Sequence, residues 1–509
     1  MENTTKKNGF VSGLGFILAA AGSAIGLGNL WSFPNKTSAN GGAAFVLVYV
    51  ICTILIGAIA MIAEIHIGKR SQSNSVTSYK KINKNLGWFG LIAIGIPFLI
   101  TCYYSVLGGW TLKFTVNSFQ GIEQANNANM FGAFISNPFE PVFYVFIFML
   151  LAAIIIMAGV KNGIEKASKV LMPTLLFILI AIVIIALTLG DGVKEGLSYY
   201  LKPDFTALGF EGVLAAMGQS FYSLSIGMGA LMCYGSYMGK EMKIGKSCAM
   251  ICIFDTIIAL LAGLAIFPSV FHFATVNGID TSTLGMGSVG LMYQTLPLVF
   301  ADLGLFGQVL SFFFFAMVSI AAITSVISLM ETCAQFVIQK YKVTRKNATL
   351  FICLISFVLS IPITWSVGGA FDGAITVFGF DLLTFLDEAS QVVLMPIGAF
   401  AVCLATTWLI GKKEKLSDWF SVKHTTTLLK NDGLDLGKFS TVFVVMAKYI
   451  TPVLILALQI IGITNNIIAN INYVYIVAFA GIILALLIVL YFVLYKKTET
   501  GENADELQH

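Results

Sequence analysis

The chain has 509 residues, 57% of them hydrophobic and only 11% charged, with a mean hydropathy of +0.87 and a formal net charge of +4. So small a charged fraction cannot cover a water-soluble core of this size, which leaves lipid as the simpler solvent. The basic residues lie scattered between hydrophobic stretches and form no patch that would hold nucleic acid.

Residues Met1–Asn8 are polar and run straight into a long apolar segment with no A-x-A-like cleavage site, which reads as an uncleaved first helix. Apolar stretches long enough to cross about 30 Å of hydrocarbon then recur along the chain. Twelve spans are expected, at about 10–35, 41–68, 87–119, 141–159, 167–190, 209–238, 247–272, 304–339, 347–366, 383–411, 441–463 and 472–495. The expected fold is an all-α polytopic membrane protein forming a single transmembrane domain. The tail 498–509 is polar and expected to be disordered. The segment 412–437 carries amphipathic pieces (Trp419, Phe420, Leu428, Leu429) and reads as lying at the membrane surface.

Basic residues set the expected orientation. Lys6 and Lys7, Lys69 to Lys84, Lys161 to Lys169, Lys240 to Lys246, Lys340 to Lys346, Lys412 to Lys438 and Lys496–Lys497 occupy alternate loops. The intervening loops lean acidic (Glu123, Glu140, Asp280, Asp302, Asp372), so both termini are expected in the cytoplasm, in a plasma (inner) membrane protein. The eight cysteines sit in or beside the spans and read as free thiols; only Cys248 and Cys252 have metal-ligand spacing. Four histidines form no metal pair, and no nucleophile elbow or H-E-x-x-H occurs, which argues against an enzyme.

Two spans carry unusual interiors. Span 1 contains Gly22-Ser23-Ala24-Ile25-Gly26-Leu27-Gly28-Asn29, and span 6 contains Tyr222-Ser223-Leu224-Ser225-Ile226-Gly227-Met228-Gly229. Glycines two apart near mid-membrane weaken a helix, and a break there frees backbone polar groups that lipid cannot satisfy. Gly22-x-x-x-Gly26 alone is also a packing pattern. Matched interruptions in two halves point instead to a midplane binding site.

Gly22 to Pro34 resembles the first-helix signature of the neurotransmitter:sodium symporters. The similarity continues through Asn40-Gly41-Gly42, Glu64, Tyr103-Tyr104, Trp110-Thr111, Gly163-Ile164-Glu165, Met172-Pro173, Pro203-Asp204-Phe205, the span 6 run, Thr324-Ser325, Asp387-Glu388 and Tyr449 to Pro452. The resemblance implies two inverted five-helix repeats (about 10–190 and 209–411) with helices 1 and 6 broken, plus two extra helices at about 441–495. It also implies sodium-coupled import of an amino acid. A same-fold carrier of another solute and, further off, a channel are the alternatives.

By the same resemblance, one sodium would meet the Ala24 carbonyl, the Asn29 side-chain oxygen, Ser223, Asp255 and the substrate carboxylate. A second would meet the carbonyls of Gly22, Ile25 and Ala321 with the Thr324 and Ser325 hydroxyls; back-bonding along the helix is the plainer role for those hydroxyls. The substrate carboxylate would face the N–H groups of Leu27 and Gly28 and the Tyr104 hydroxyl, and its amine the carbonyls near Tyr222 and Ser225. Ser23, Ile100, Tyr222, Met228, Ser325 and Leu329 would choose the side chain, and their apolar bias favours a hydrophobic or aromatic amino acid. Gly26 leaves room for a substrate that brings its own carboxylate.

Chloride-requiring members resemble one another in holding a neutral amide where this chain has Asp255, near Tyr, Gln and Ser groups matching Tyr49, Gln219 and Ser223; Ala259 replaces a further serine. Asp255 is therefore expected to supply the negative charge, with no chloride needed. Its alternative role is a protonated hydrogen-bond donor. Glu64 is expected to anchor freed backbone amides. The usual charged outer gate is replaced by Ser32 and Ser390, with Lys36 one turn along, and the usual inner one by Lys7, Phe10 and Gln339, so weaker gates are expected. Oligomeric state is not legible in the sequence.

Overall fold

The computed structural model describes residues 9–120, 130–281, 290–368, 375–411 and 415–505. Helix dominates, because a chain in lipid must satisfy its backbone polar groups internally. Among the described residues ten helices are long and apolar enough to cross a membrane, and the pair Gly13–Ala24 and Gly28–Ala39 adds a bent span with a 49° break. The segment expected as span 6 is divided into Phe210–Ser223 and Ala230–Ser236. These pieces fall within stretches expected from the sequence.

Span 8 (Gly304–Tyr341) packs most extensively on span 3 (Gly87–Gln120), and span 1 packs on spans 5, 7 and 8. Span 7 is Ile244–Asn277 and span 10 is Leu382–Thr407. The broken helices thus lie inside a cage of unbroken ones. Span 2 (Ala43–Ser71) contacts Ala230–Ser236 closely, since Gly68 and Gly235 let the two backbones approach. A Cβ on Gly235 would sit 2.6 Å from the Ile65 carbonyl oxygen.

One sequence expectation is refined and another corrected. The segment at 415–437 is docked on the protein: helix Val422–Asn431 buries Leu429, Arg70 Nε lies 2.6 Å from Asp432 Oδ2, and Lys448 Nζ donates to Thr425 Oγ1 at 2.8 Å. Its amphipathic face finds span 11 and the end of span 2 as partner, and residues 412–414 fall outside the described residues. The tail expected to be disordered is helical through Asp505, because span 12 (Tyr473–Asp505) has already nucleated the helix and extension adds little cost. Residues 506–509, like 1–8, lie outside the described residues.

Candidate functional site

The break in span 1 is a redistribution of hydrogen bonds. In an unbroken helix the N–H groups of Gly26 and Leu27 would bond the carbonyls of Gly22 and Ser23. Here Ile25 is extended (φ −77°, ψ 98°), Gly26 N–H donates to Asn29 Oδ1 at 3.3 Å, and Leu27 N–H donates to Tyr104 OH at 3.0 Å. The two carbonyls left behind take hydroxyls from other spans. Ser325 Oγ donates to Gly22 O at 3.3 Å and to Ser23 O at 3.2 Å, and Ser225 Oγ donates to Ser23 O at 2.8 Å. A π-helical turn, Gly28–Ser32, restarts the span.

Span 6 stops at Ser223 and restarts at Ala230. Ser225, Gly227 and Gly229 have φ of 54°, 81° and 74°. At Gly227 only glycine fits: a Cβ would strike the Met395 carbonyl and lie 2.7 Å from Ala399 N. Glu64 answers the freed amides, as expected. It is fully buried, accepts from Gly227 N–H at 2.9 Å, and faces the N–H groups of Gly229, Leu231 and Met232.

Asp255 is fully buried at the junction of spans 1, 2, 6 and 7. Asn29 Nδ2 donates to its Oδ1 at 2.8 Å, Ser223 Oγ donates to its two oxygens at 3.0 and 2.8 Å, and Tyr49 OH donates to Oδ2 at 3.3 Å. Three neutral donors on one carboxylate suit an ionised group that a cation completes. Two details differ from expectation. Asn29 presents its amide nitrogen to Asp255 and spends its oxygen on Gly26, so a sodium at this place would need the amide turned over. Gln219 is turned away: its Nε2 donates to Gly28 O at 2.7 Å and its Oε1 accepts from Ser32 Oγ at 2.8 Å.

The second expected sodium set is also gathered. Thr324 Oγ1 donates to Ala321 O at 3.0 Å and Ile320 O at 3.1 Å, while Ser325 Oγ reaches Gly22 O. The back-bonding of Thr324 and the clustering of oxygens therefore coexist. The Ile25 carbonyl loses its usual helical partner, because Asn29 N–H bonds Gly26 O at 3.2 Å instead. Among the described residues no group of three or more His, Cys, Asp or Glu side chains could hold a metal. The donors available are hydroxyls, carbonyls, one amide and one carboxylate, which fit a hard monovalent cation.

Ser23, Ala24, Gly26, Gly28, Ile100, Tyr104, Tyr222, Ser225, Met228, Ser325 and Leu329, all expected at the substrate or its sodium ions, line one small cavity. Leu27 contributes through its N–H on Tyr104, and Ser223 stands behind the wall on Asp255. A Cβ on Gly26 would lie 2.6 Å from the Tyr104 hydroxyl and press on Ser325, so the cavity exists because this position has no side chain.

The expected gates are arranged differently from the reading of the sequence. Ser32 bonds Gln219, and Ser390 Oγ lies 3.0 Å from Tyr103 OH, so each has its own partner. Gln339 Oε1 accepts from Asn74 N–H and Nδ2 at 2.8 Å, which ties it to the loop after span 2; Lys7 lies outside the described residues. Phe10 docks edge-on against Phe16 and Tyr234, and its N–H donates to Tyr237 O at 3.1 Å. Beside it Glu165 accepts from Val11 N–H at 2.8 Å and Ser12 Oγ at 3.0 Å, with Lys169 Nζ at 2.6 Å.

Sequence reasoning missed a second cluster there. The fully buried Glu331 accepts from Tyr237 OH at 2.7 Å and from Arg345 at 2.6 Å. It also missed Ser328, whose Oγ accepts from Ser23 Oγ at 2.7 Å. A glutamate in an apolar run of span 8 was the available signal for the first; the second had none.

Two interrupted helices that meet at a cavity, with oxygen donors gathered at both breaks, define a broken-helix membrane transporter. The model of the sodium:neurotransmitter symporter family matches residues 7–130 and 125–500, and the chain belongs to that family. The family is one of transporters rather than enzymes, and the chain is accordingly a sodium-coupled transporter. It is 35% identical over 465 residues to the sodium-dependent transporter YhdH of Bacillus subtilis, covering 90% of this chain and 98% of that protein. It is 30% identical over 295 residues to the sodium-dependent neutral amino acid transporter B(0)AT3 of Mus musculus, covering 52% of this chain and 48% of that one. The crystal structure of MhsT in complex with L-phenylalanine superposes with a TM-score of 0.78 at 34% identity, over 89% of this chain and 99% of that chain.

Proposed function

We propose that this transporter imports a hydrophobic or aromatic amino acid with two sodium ions, by alternating access and without chloride, across a plasma membrane that leaves both termini in the cytoplasm. The observation that carries the amino-acid reading is the arrangement around Gly26: a cavity-lining position too tight for any side chain, with the Tyr104 hydroxyl and the Leu27 N–H together beside it. A carboxylate there meets donors at the start of a helical segment, where the dipole favours negative charge. The mostly apolar remainder of the cavity, with the adaptable Met228, fits an apolar side chain. The complex of MhsT with L-phenylalanine supports the same substrate class.

Chloride independence rests on Asp255. Its carboxylate already receives the Tyr49 and Ser223 hydroxyls that an anion would otherwise need, and Gln219 is committed elsewhere. The substrate carboxylate, entering beside Ala24 and Asn29, completes the first sodium site, so that ion and substrate raise each other's affinity reciprocally. Moving one charge through 100 mV yields about 2.3 kcal/mol, and a tenfold sodium gradient adds roughly 1.4 kcal/mol. Two ions thus supply about 7 kcal/mol, enough for a concentration ratio on the order of 10⁵.

The test is uptake by proteoliposomes of a panel of labelled amino acids, with sodium or potassium and with chloride or gluconate. Sodium-dependent uptake of apolar amino acids, equal in chloride and gluconate, is expected. Uptake indifferent to sodium, or confined to charged substrates, refutes the proposal.

A further inference from the structure

The segment between spans 10 and 11 is tied to the protein by one face. Helix Val422–Asn431 buries Thr425 and Leu429, one turn apart, and Leu429 and Leu434 meet Phe443 and Val444 of span 11 (Gly437–Ala469). Further along that span, Lys448 Nζ donates to Thr425 Oγ1 at 2.8 Å and Tyr449 OH donates to the Phe420 carbonyl. The Phe420 ring lies edge-on to Trp408 at 5.5 Å. Tyr449 is about 10 Å beyond Val442 along the helix axis, at about 1.5 Å a residue. Val442 is itself exposed on the outside of the span. The segment therefore lies back along the outer side of span 11, at the depth where that span enters the membrane.

Its outward face carries aromatic rings and lysines. Trp419, Phe420 and Phe439 are 38%, 58% and 72% exposed. Lys423, Thr427 and Lys430 are exposed at helical spacing, on the side opposite Thr425 and Leu429, and Lys415 and Lys438 are exposed at the two ends. The acids are already engaged. Asp418 Oδ2 accepts from Lys415 N–H at 3.1 Å, Asp432 Oδ2 holds Arg70 Nε at 2.6 Å, and Asp435 Oδ1 accepts from Gly437 N–H at 2.9 Å, with Lys430 Nζ at 3.5 Å. Among the described residues Lys415, Lys423 and Lys438 have no ion-pair partner. Exposed rings beside lysines suit a membrane interface, where ring bodies enter the acyl boundary and lysine stems reach the headgroups. A second copy on this face would set lysine against lysine, because a two-fold contact pairs a patch with itself.

We propose that this face is a docking surface for anionic phospholipid. Trp419, Phe420 and Phe439 enter the acyl boundary of the leaflet, and the ammonium groups of Lys415, Lys423 and Lys438 take lipid phosphates. The surface continues the outer side of span 11, where Ile450 and Val453 are exposed toward lipid. Arg70 of span 2 holds Asp432 and Lys448 of span 11 holds Thr425, so lipid bound to the segment braces both spans. The surface shares no residue with the central cavity and does not depend on which solute is carried.

The test places the purified full chain in nanodiscs of phosphatidylcholine or phosphatidylglycerol with brominated acyl chains, which quench tryptophan on contact. The Trp419 signal is the difference made by Trp419→Phe in each background. Both lipids are expected to quench Trp419, with half-quenching at about a fivefold lower fraction of brominated phosphatidylglycerol, as lysines near a charged leaflet imply. Lys415→Gln, Lys423→Gln and Lys438→Gln together are expected to keep the quenching by phosphatidylcholine, which shows the segment still in place. The same triple variant should bring the two lipids within about twofold of each other. A Trp419 that neither lipid quenches overturns the surface. Equal half-quenching in wild type, or a preference that the triple variant retains, overturns its anionic character. A preference abolished by soluble glycerol phosphate marks a site for free phosphate esters and overturns the lipid. A Trp419 shielded in discs holding two copies and quenched in discs holding one marks a face between copies, and overturns it too.

Discussion

Replacing Asp255 by Asn removes one charge while keeping the side chain's shape. The carboxylate is fully buried and takes Asn29 Nδ2 and Ser223 Oγ at 2.8 Å and Tyr49 OH at 3.3 Å, so all its neighbours are neutral donors. Asparagine turns one of the two acceptors into a donor that faces other donors. For a sodium about 4 Å away, at an effective dielectric constant of about 20, the lost attraction is about 4 kcal/mol. That corresponds to about a thousandfold in sodium affinity. Chloride can return part of it by entering beside Tyr49 and Ser223. The assay is a sodium titration of amino-acid binding in paired chloride and gluconate buffers. Wild type is expected to titrate identically in both. Asp255→Asn should weaken about a hundred- to a thousandfold in gluconate, by the same Coulomb argument, and recover about tenfold or more in chloride. A variant whose sodium midpoint stays within about threefold of wild type, on the 1.4 kcal/mol-per-decade scale, refutes the reasoning. So does a wild type that requires chloride.

Three shorter predictions address the rest of the site. Gly26→Ala places a methyl against the Tyr104 hydroxyl and Ser325, and is expected to abolish amino-acid binding while the purified protein keeps its thermal transition. Tyr104→Phe deletes the partner of Leu27 N–H and a carboxylate donor, and should cost about 1.5–3 kcal/mol in substrate affinity, read as a KM increase of roughly tenfold or more. Arg345→Ala leaves the buried Glu331 without its cation and should lower stability by about 3–5 kcal/mol, seen as a lower midpoint in detergent; Glu331→Gln in the same chain is expected to restore much of it.

The places of the spans and of both breaks were legible because each depends on local composition: a run of apolar residues, or glycines set among small hydroxyl side chains. What lay beyond reach depends on partners far apart in sequence. Nothing near Asn29 tells that its amide nitrogen turns to Asp255, 226 residues later, because that choice is made by the Gly26 N–H competing for its oxygen. Gln219 matched a chloride-site position, yet its amide is taken up by the Gly28 carbonyl and the Ser32 hydroxyl. Helix Val422–Asn431 was readable as amphipathic, but an amphipathic face fits a bilayer or a protein equally well. Arg70 and Lys448, which hold it to the protein, come from spans 2 and 11.

The carbonyls at the bend of span 1 carry a consequence for biosynthesis. The Ser23 carbonyl is served by Ser225 and the Gly22 carbonyl by Ser325, 202 and 303 residues further along the chain. When the first span enters the bilayer neither hydroxyl has been synthesised, and lipid can replace neither. The early span therefore enters as a continuous helix with its own backbone bonds closed. It exchanges them only when the later spans arrive, so the bend is a product of assembly and the binding site matures after the segment that carries half of it.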